Sequence, residues 1–184
     1  MSKKAEIIKN ILLGLGAVGG VIVVSIVAPN LFSILSPRYK TVTKYTNNQV
    51  KRSLKRLEMN DMVNISEKDS MVKINLTKNG ERKVIEYNLE NLKIKRDKSW
   101  DRKWRIVIFD IPEKYKSNRT VFARKLRELG FVNLQKSVWV TPYPCEDEID
   151  FLKEIYEIRP FIRLITADRI DIQHDLLKQF KLVV

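Results

Sequence analysis

The residues with the clearest chemical potential stand in Lys103 to Lys114, "KWRIVIFDIPEK". Arg105 to Phe109 read as a strand, and the run stops at Asp110, ahead of Ile111 and Pro112. A carboxylate at the end of a buried strand has two uses. It can hold a magnesium or manganese ion, since hard cations bind through one or two carboxylates plus water. It can also accept backbone N–H groups of the turn it opens. No second acid lies at a spacing that builds a full metal site within one chain, so the structural use is the expectation and metal binding the alternative. The remaining singletons point to no chemistry. Cys145 is the one cysteine, which permits no internal disulfide and fits a reducing cytoplasm. It reads as a loop residue. His174 is the one histidine and reads as exposed on a terminal helix. No Cys/His cluster has zinc spacing.

Charge points elsewhere. The net charge is +13, and it is segregated. Residues 36–105 hold 19 Lys/Arg against 9 Asp/Glu, whereas residues 106–184 hold 13 against 12. A concentrated basic excess is the electrostatic footprint of a polyanion partner. A solubilising surface alone does not require it.

Within the basic third, "TNNQVKRSLKRLEMNDMV" carries the strongest local signals. Thr46 and Gln49 form a T-x-x-Q capping box, placing a helix start near Asn47. Val50, Leu54 and Leu57 fall at i, i+4 and i+7 as one apolar stripe. Lys51, Arg52, Lys55 and Arg56 then cover an arc of about 140° on the opposite side, at 100° per residue. A solvated face normally interleaves Glu for i,i+4 pairs, and only Glu58 is present. This helix is therefore expected to enter a DNA groove, with Asn47 and Asn48 at its leading end. Alternating residues in "MVNIS" and "MVKINL" predict a hairpin with "EKDS" as its polar tip. Lys68 at the tip and Lys73 on the polar face are candidate phosphate contacts. Thr77 caps a further helix. This order predicts a winged helix-turn-helix.

The amino terminus is apolar, with no charged residue from Asn10 to Pro37. Ile11 to Ala28 approaches the ~20 residues that span a bilayer, and Gly16 and Gly20 form a G-x-x-x-G. The expectation is nevertheless a helix buried on all sides, followed by a second short helix near Pro29. A charge placed at Val23 would then be buried. The alternative is a membrane anchor through residues 10–35.

From Arg105 onward the pattern is strand, helix, strand, strand, helix, strand, the split βαβ of a ferredoxin-like domain. Its first helix is expected to be capped by Ser117 or Asn118, to bury Val121, Phe122, Leu126 and Leu129, and to stop at Gly130. Trp100 and Trp104 read as packing anchors at the domain joint. Here the residues "IVIFDIPEK…R…KLRELGFVNLQKSVWVTP" resemble the small CRISPR-associated endonuclease family. Asp110, Arg119, Leu126, Gly130, Gln135, Ser137 and Val138 match in order, with Trp139 in place of Phe. An Arg usual in that family between Gly130 and Gln135 is missing. The resemblance implies a metal shared by one Asp110 from each protomer of a dimer. The same half also resembles the central domain of PaaX-type transcriptional regulators, which join a winged helix to this fold. That likeness covers nearly the whole chain, although the long apolar amino terminus departs from it and the carboxyl-terminal domain of full-length PaaX has no counterpart.

The sequence thus predicts an α+β protein. Residues 1–88 form amino-terminal helices and a winged helix-turn-helix, 89–103 a basic connector, and 104–184 a ferredoxin-like dimerisation domain whose tail extends or closes the sheet. The expected function is double-stranded DNA binding by a cytoplasmic homodimer, without catalysis or cofactor. The alternatives are a metal-dependent endonuclease using Asp110 and a DNA-binding protein anchored at the inner membrane.

Overall fold

The computed structural model describes residues 3–25, 46–69, 71–96 and 99–182. The chain divides into two compact units, residues 1–91 and 92–184.

The first unit contains helix α1 (Lys3–Ala17), strand β1 (Val21–Ser25), helix α2 (Asn47–Met59), strands β2 (Val63–Lys68) and β3 (Met71–Leu76), and helix α3 (Lys78–Asn91). Its antiparallel sheet has the order β1-β3-β2. The core joins Ile7, Ile11, Leu12 and Leu15 of α1 to Val50, Leu54 and Leu57 of α2, with Ile22, Val63 and Ile74 from the sheet. The apolar stripe read from α2 is therefore its buried face.

The amino-terminal expectation needs correction. The apolar run is not one helix. It breaks at Gly19 and Gly20, both at φ +81°, a left-handed conformation that glycine adopts without steric cost. Gly20 N–H donates back to the Leu15 carbonyl, and the Gly20 carbonyl accepts from Leu76 N–H. The chain then continues as β1, which pairs with β3 in the register Ile22↔Ile74. Strand alternation follows: Ile22 is 7% exposed, but Val21 is 46% and Val23 is 54% exposed. Val23 is thus an outer-face residue and not core. Nor do Gly16 and Gly20 form a helix-packing pair. Gly16 lies against Val84 of α3, where an added Cβ would come within 2.6 Å of Val84 Cγ1, while Gly20 belongs to the turn. No helix among the described residues is long and apolar enough to cross a membrane. The short helix expected near Pro29 lies outside the described residues.

The second unit contains β4 (Trp104–Phe109), α4 (Lys116–Glu128), β5 (Val132–Gln135), β6 (Val138–Thr141), α5 (Glu146–Ile155), β7 (Ile162–Ala167) and α6 (Gln173–Phe180). All pairings are antiparallel in the order β5-β6-β4-β7, and the βαββαβ succession matches the expectation. One sheet face packs on the helices, as where the Phe109 ring meets the edge of Phe122 of α4 at 5.4 Å. Phe122, Leu126 and Leu129 are buried as predicted, Val121 is only half-buried, and Gly130 ends the helix at φ +88°. The predicted cap is not formed. A one-turn 3-10 helix, Glu113–Tyr115, leads directly into α4, and Asn118 instead donates to the Tyr156 carbonyl at 2.8 Å. The tail also differs, adding no strand to the sheet among the described residues. It forms α6, whose Leu176 lies on the other sheet face against Trp104 and Val140.

Candidate nucleic-acid interface

Helix α2 is built as the capping box requires. Thr46 Oγ1 accepts from Gln49 N–H at 3.4 Å, and Gln49 Oε1 accepts from Thr46 N–H at 3.1 Å. This satisfies two donors that a helix start otherwise leaves free. With Val50, Leu54 and Leu57 buried, Asn48, Lys51, Arg52, Lys55 and Arg56 are all exposed. Asn47 is the first helical residue. None of the four cations forms an ion pair among the described residues. By contrast, Lys9 on α1 stands 3.6 Å from Glu90 and 3.2 Å from Asn91 Oδ1 of α3.

The ladder after α2 is longer than expected. Glu67 and Lys68 are ladder residues rather than tip residues, with Lys68 opposite Met71. Lys73 faces Ser66 on one side and Val23 on the other. Both lysines are exposed. The base of the ladder is held at Thr77, whose Oγ1 donates to the Asp61 carbonyl at 2.5 Å and accepts from Gly80 N–H at 3.0 Å. Gly80 has no room for a side chain, since a Cβ there would lie 2.0 Å from the Met62 carbonyl oxygen.

Sequence reasoning missed a further group. Arg52 and Arg56 stand at one end of the cationic arc, and Lys51 and Lys55 at the other. Together with Gln49 and Ser53 the two arginines line a cavity of about 310 Å³, whose opposite wall is Lys4 and Ile7 of α1. Only contact between two separate helices creates it, so no local motif announces it.

Asp110 differs from its expected role. It is exposed, and its backbone N–H donates to the Phe161 carbonyl at 3.0 Å. Its carboxylate has no hydrogen-bond donor among the described residues. The turn is tied by Arg119, which donates to the Ile111 carbonyl at 3.4 Å and to Glu113 Oε2 at 2.8 Å. The Arg119 and Lys116 cations beside Glu113 hold its carboxyl below the usual carboxylate range. Among the described residues, no three His, Cys, Asp or Glu side chains converge on a metal position. One exposed carboxylate does not by itself fit a magnesium or manganese site.

Trp100 and Trp104, expected at a domain joint, pack within the second unit beside Val140 and Leu176. Trp100 and Trp104 ring centroids stand 4.9 Å apart, and Trp104 is fully buried. Beside them Arg105, 6% exposed, donates to both Asp101 carboxylate oxygens at 2.7 and 2.5 Å. This pairing lowers the Asp101 pKa and raises that of Arg105. His174 is exposed on α6. Cys145 lies just before α5 and is buried, and desolvation pushes its thiol up to about 12.

Residues 97–178 match the family model described as the PaaX protein central Cas2-like domain. The match covers most of the second unit and bears out the PaaX-type resemblance carried by "IVIFDIPEK" and the residues after it. No curated protein matches the chain.

Proposed function

We propose that this protein is a PaaX-type transcriptional regulator that binds double-stranded DNA through its first unit and dimerises through its second. The observation that carries the reading is the exposed, unpaired cationic face of α2, backed by a buried Val50-Leu54-Leu57 stripe. A strand–helix–hairpin succession with the sheet order β1-β3-β2 supports a winged-helix arrangement, in which such a helix lies in the major groove. Lys68 and Lys73 stand on the adjoining ladder, positioned for phosphate. Asn47 and Asn48, the first two residues of α2, are the candidates for reading base edges, since Asn pairs bidentately with adenine.

The dimer reading is supported by the sheet face that α6 covers only in part. Ile106 and Ile165 are paired across β4 and β7, and Ile108 follows on the same face. Ile108 and Ile165 are 37% and 43% exposed. Joining two copies there buries apolar surface and presents two α2 helices to one duplex.

A metal-dependent nuclease is the second reading. The exposed, unpartnered Asp110 carboxylate favours it, because a group free of structural ties is available to a cation shared with a second copy.

Titrating a labelled duplex with the protein, with its sedimentation followed in parallel, tests the proposal. The expected result is salt-sensitive binding by a species of twice the 21.6 kDa chain mass. Absence of duplex binding at low salt would sink it.

A further inference from the structure

We propose that the cavity between α1 and α2 is a seat for a backbone phosphate of the bound duplex, with Lys4 as its third cation. The inference rests on the DNA-binding reading of α2 and deepens it, by dividing the helix's cations into two groups and adding a residue from outside the helix.

Gln49, Ser53 and Arg56 recur at i, i+4 and i+7 on α2, so they share one flank of the helix, and Arg52 borders them. Lys4 and Ile7, at i and i+3 on α1, supply the facing wall. Lys51 and Lys55 lie further round and do not line the cavity. At about 310 Å³ the space is several times the ~30 Å³ share of one liquid water, which accommodates a phosphate with part of its hydration.

Electrostatics then select the occupant. Three of the lining residues are cationic and none is acidic. Lys4, Arg52 and Arg56 are exposed and have no ion pair among the described residues. The Ser53 hydroxyl proton is already donated to the Gln49 carbonyl at 2.9 Å, so recognition falls on the cations. Three cations converging without a counter-charge fit an anion, and Arg at such a site binds phosphate bidentately. Duplex backbone is favoured over a free phosphorylated molecule because the seat is continuous with Lys51 and Lys55. A phosphate held there belongs to the strand flanking the groove that α2 enters.

The test uses the full chain carrying Lys4→Ala, with Lys9→Ala as control, since Lys9 is engaged with Glu90 and Asn91 on α3. Affinity for a labelled duplex is measured across salt concentrations. Each lost phosphate contact lowers the slope of log affinity against log salt by about 0.9, which is about eightfold in affinity at 0.1 M relative to 1 M, and a dimer loses two such contacts. The loss should be the same for unrelated duplex sequences, and Lys9→Ala should match wild type. A wild type that binds no duplex removes the reading of α2 and the seat with it. A wild type that binds steeply, with Lys4→Ala unchanged in slope and affinity, overturns the seat alone. So does a Lys4→Ala variant that loses affinity for inorganic phosphate but not for duplex.

Discussion

Replacing Lys51, Arg52, Lys55 and Arg56 together with Ala should abolish salt-sensitive duplex binding without unfolding the first unit. All four side chains are exposed and unpaired among the described residues, so the substitutions remove charge and little packing. Ala is the best helix former, and surface changes of this kind usually stay within about 0.5 kcal/mol. The thermal melt should therefore hardly move. Binding should change greatly. If each cation neutralises one phosphate, a single α2 contributes about 3.6 to the salt slope, and a dimer with two such helices about 7. With the lower figure, wild-type affinity falls about 300-fold between 0.05 and 0.25 M salt. Cations that reach bases instead lower the slope but not the loss on substitution. Fluorescence anisotropy of a labelled duplex over that salt range gives both quantities. A quadruple variant that keeps the wild-type slope and affinity would refute the assignment of α2 as the DNA-binding face.

Three further outcomes follow from particular contacts. Ile22→Asp should unfold the first unit, because a charge enters a side-chain position only 7% exposed; Val23→Asp, at 54% exposure, should leave the melt nearly unchanged, and equal damage from both would contradict the strand. Asp110→Asn should keep stability within about 0.5 kcal/mol of wild type, since no hydrogen bond among the described residues is lost, and should bind duplex normally. Metal-dependent cleavage by wild type that vanishes in this variant would establish the nuclease reading instead. Asp101→Asn should destabilise the second unit by about 1–3 kcal/mol, a charge-assisted pair discounted for the exposure of Asp101. Because the folded-state pKa of Asp101 is depressed, its contribution is complete above the ordinary aspartate range and is lost as pH falls through the lower folded value. Acid titration of the melt should therefore bring wild type toward the variant, and a pH-independent difference would count against the pair.

The elements specified by near neighbours were legible in advance. Thr46 and Gln49 announce α2 because both halves of their box lie within one turn, and the period of Val50, Leu54 and Leu57 assigns its buried face. The βαββαβ succession was legible for the same reason, since its periods switch cleanly between 2 and 3.6. The stretch from Ile11 to Ala28 was not, because an almost uniformly apolar run has no periodicity to separate helix from strand. Its two adjacent glycines were the available signal, and their left-handed turn decides the outcome. Ser117 and Asn118 misled because the chain enters α4 through a 3-10 turn that leaves no extended cap position. Asp110 misled because the turn after β4 is tied by Arg119 and Glu113, whose pairing depends on how the chain folds back. The cavity facing Lys4 joins residues more than 40 positions apart and leaves no trace in either helix alone.

Cys145 marks the second unit alone. It is the sole thiol, 1% exposed, with a pKa near 12. Alkylating reagents attack the thiolate, so the folded chain presents them with neither access nor a nucleophile at neutral pH. Modification must wait for the segment before α5 to open. The first unit has no thiol to compete, so covalent labelling becomes a stopwatch for excursions of the second unit alone, readable by mass on the unaltered protein.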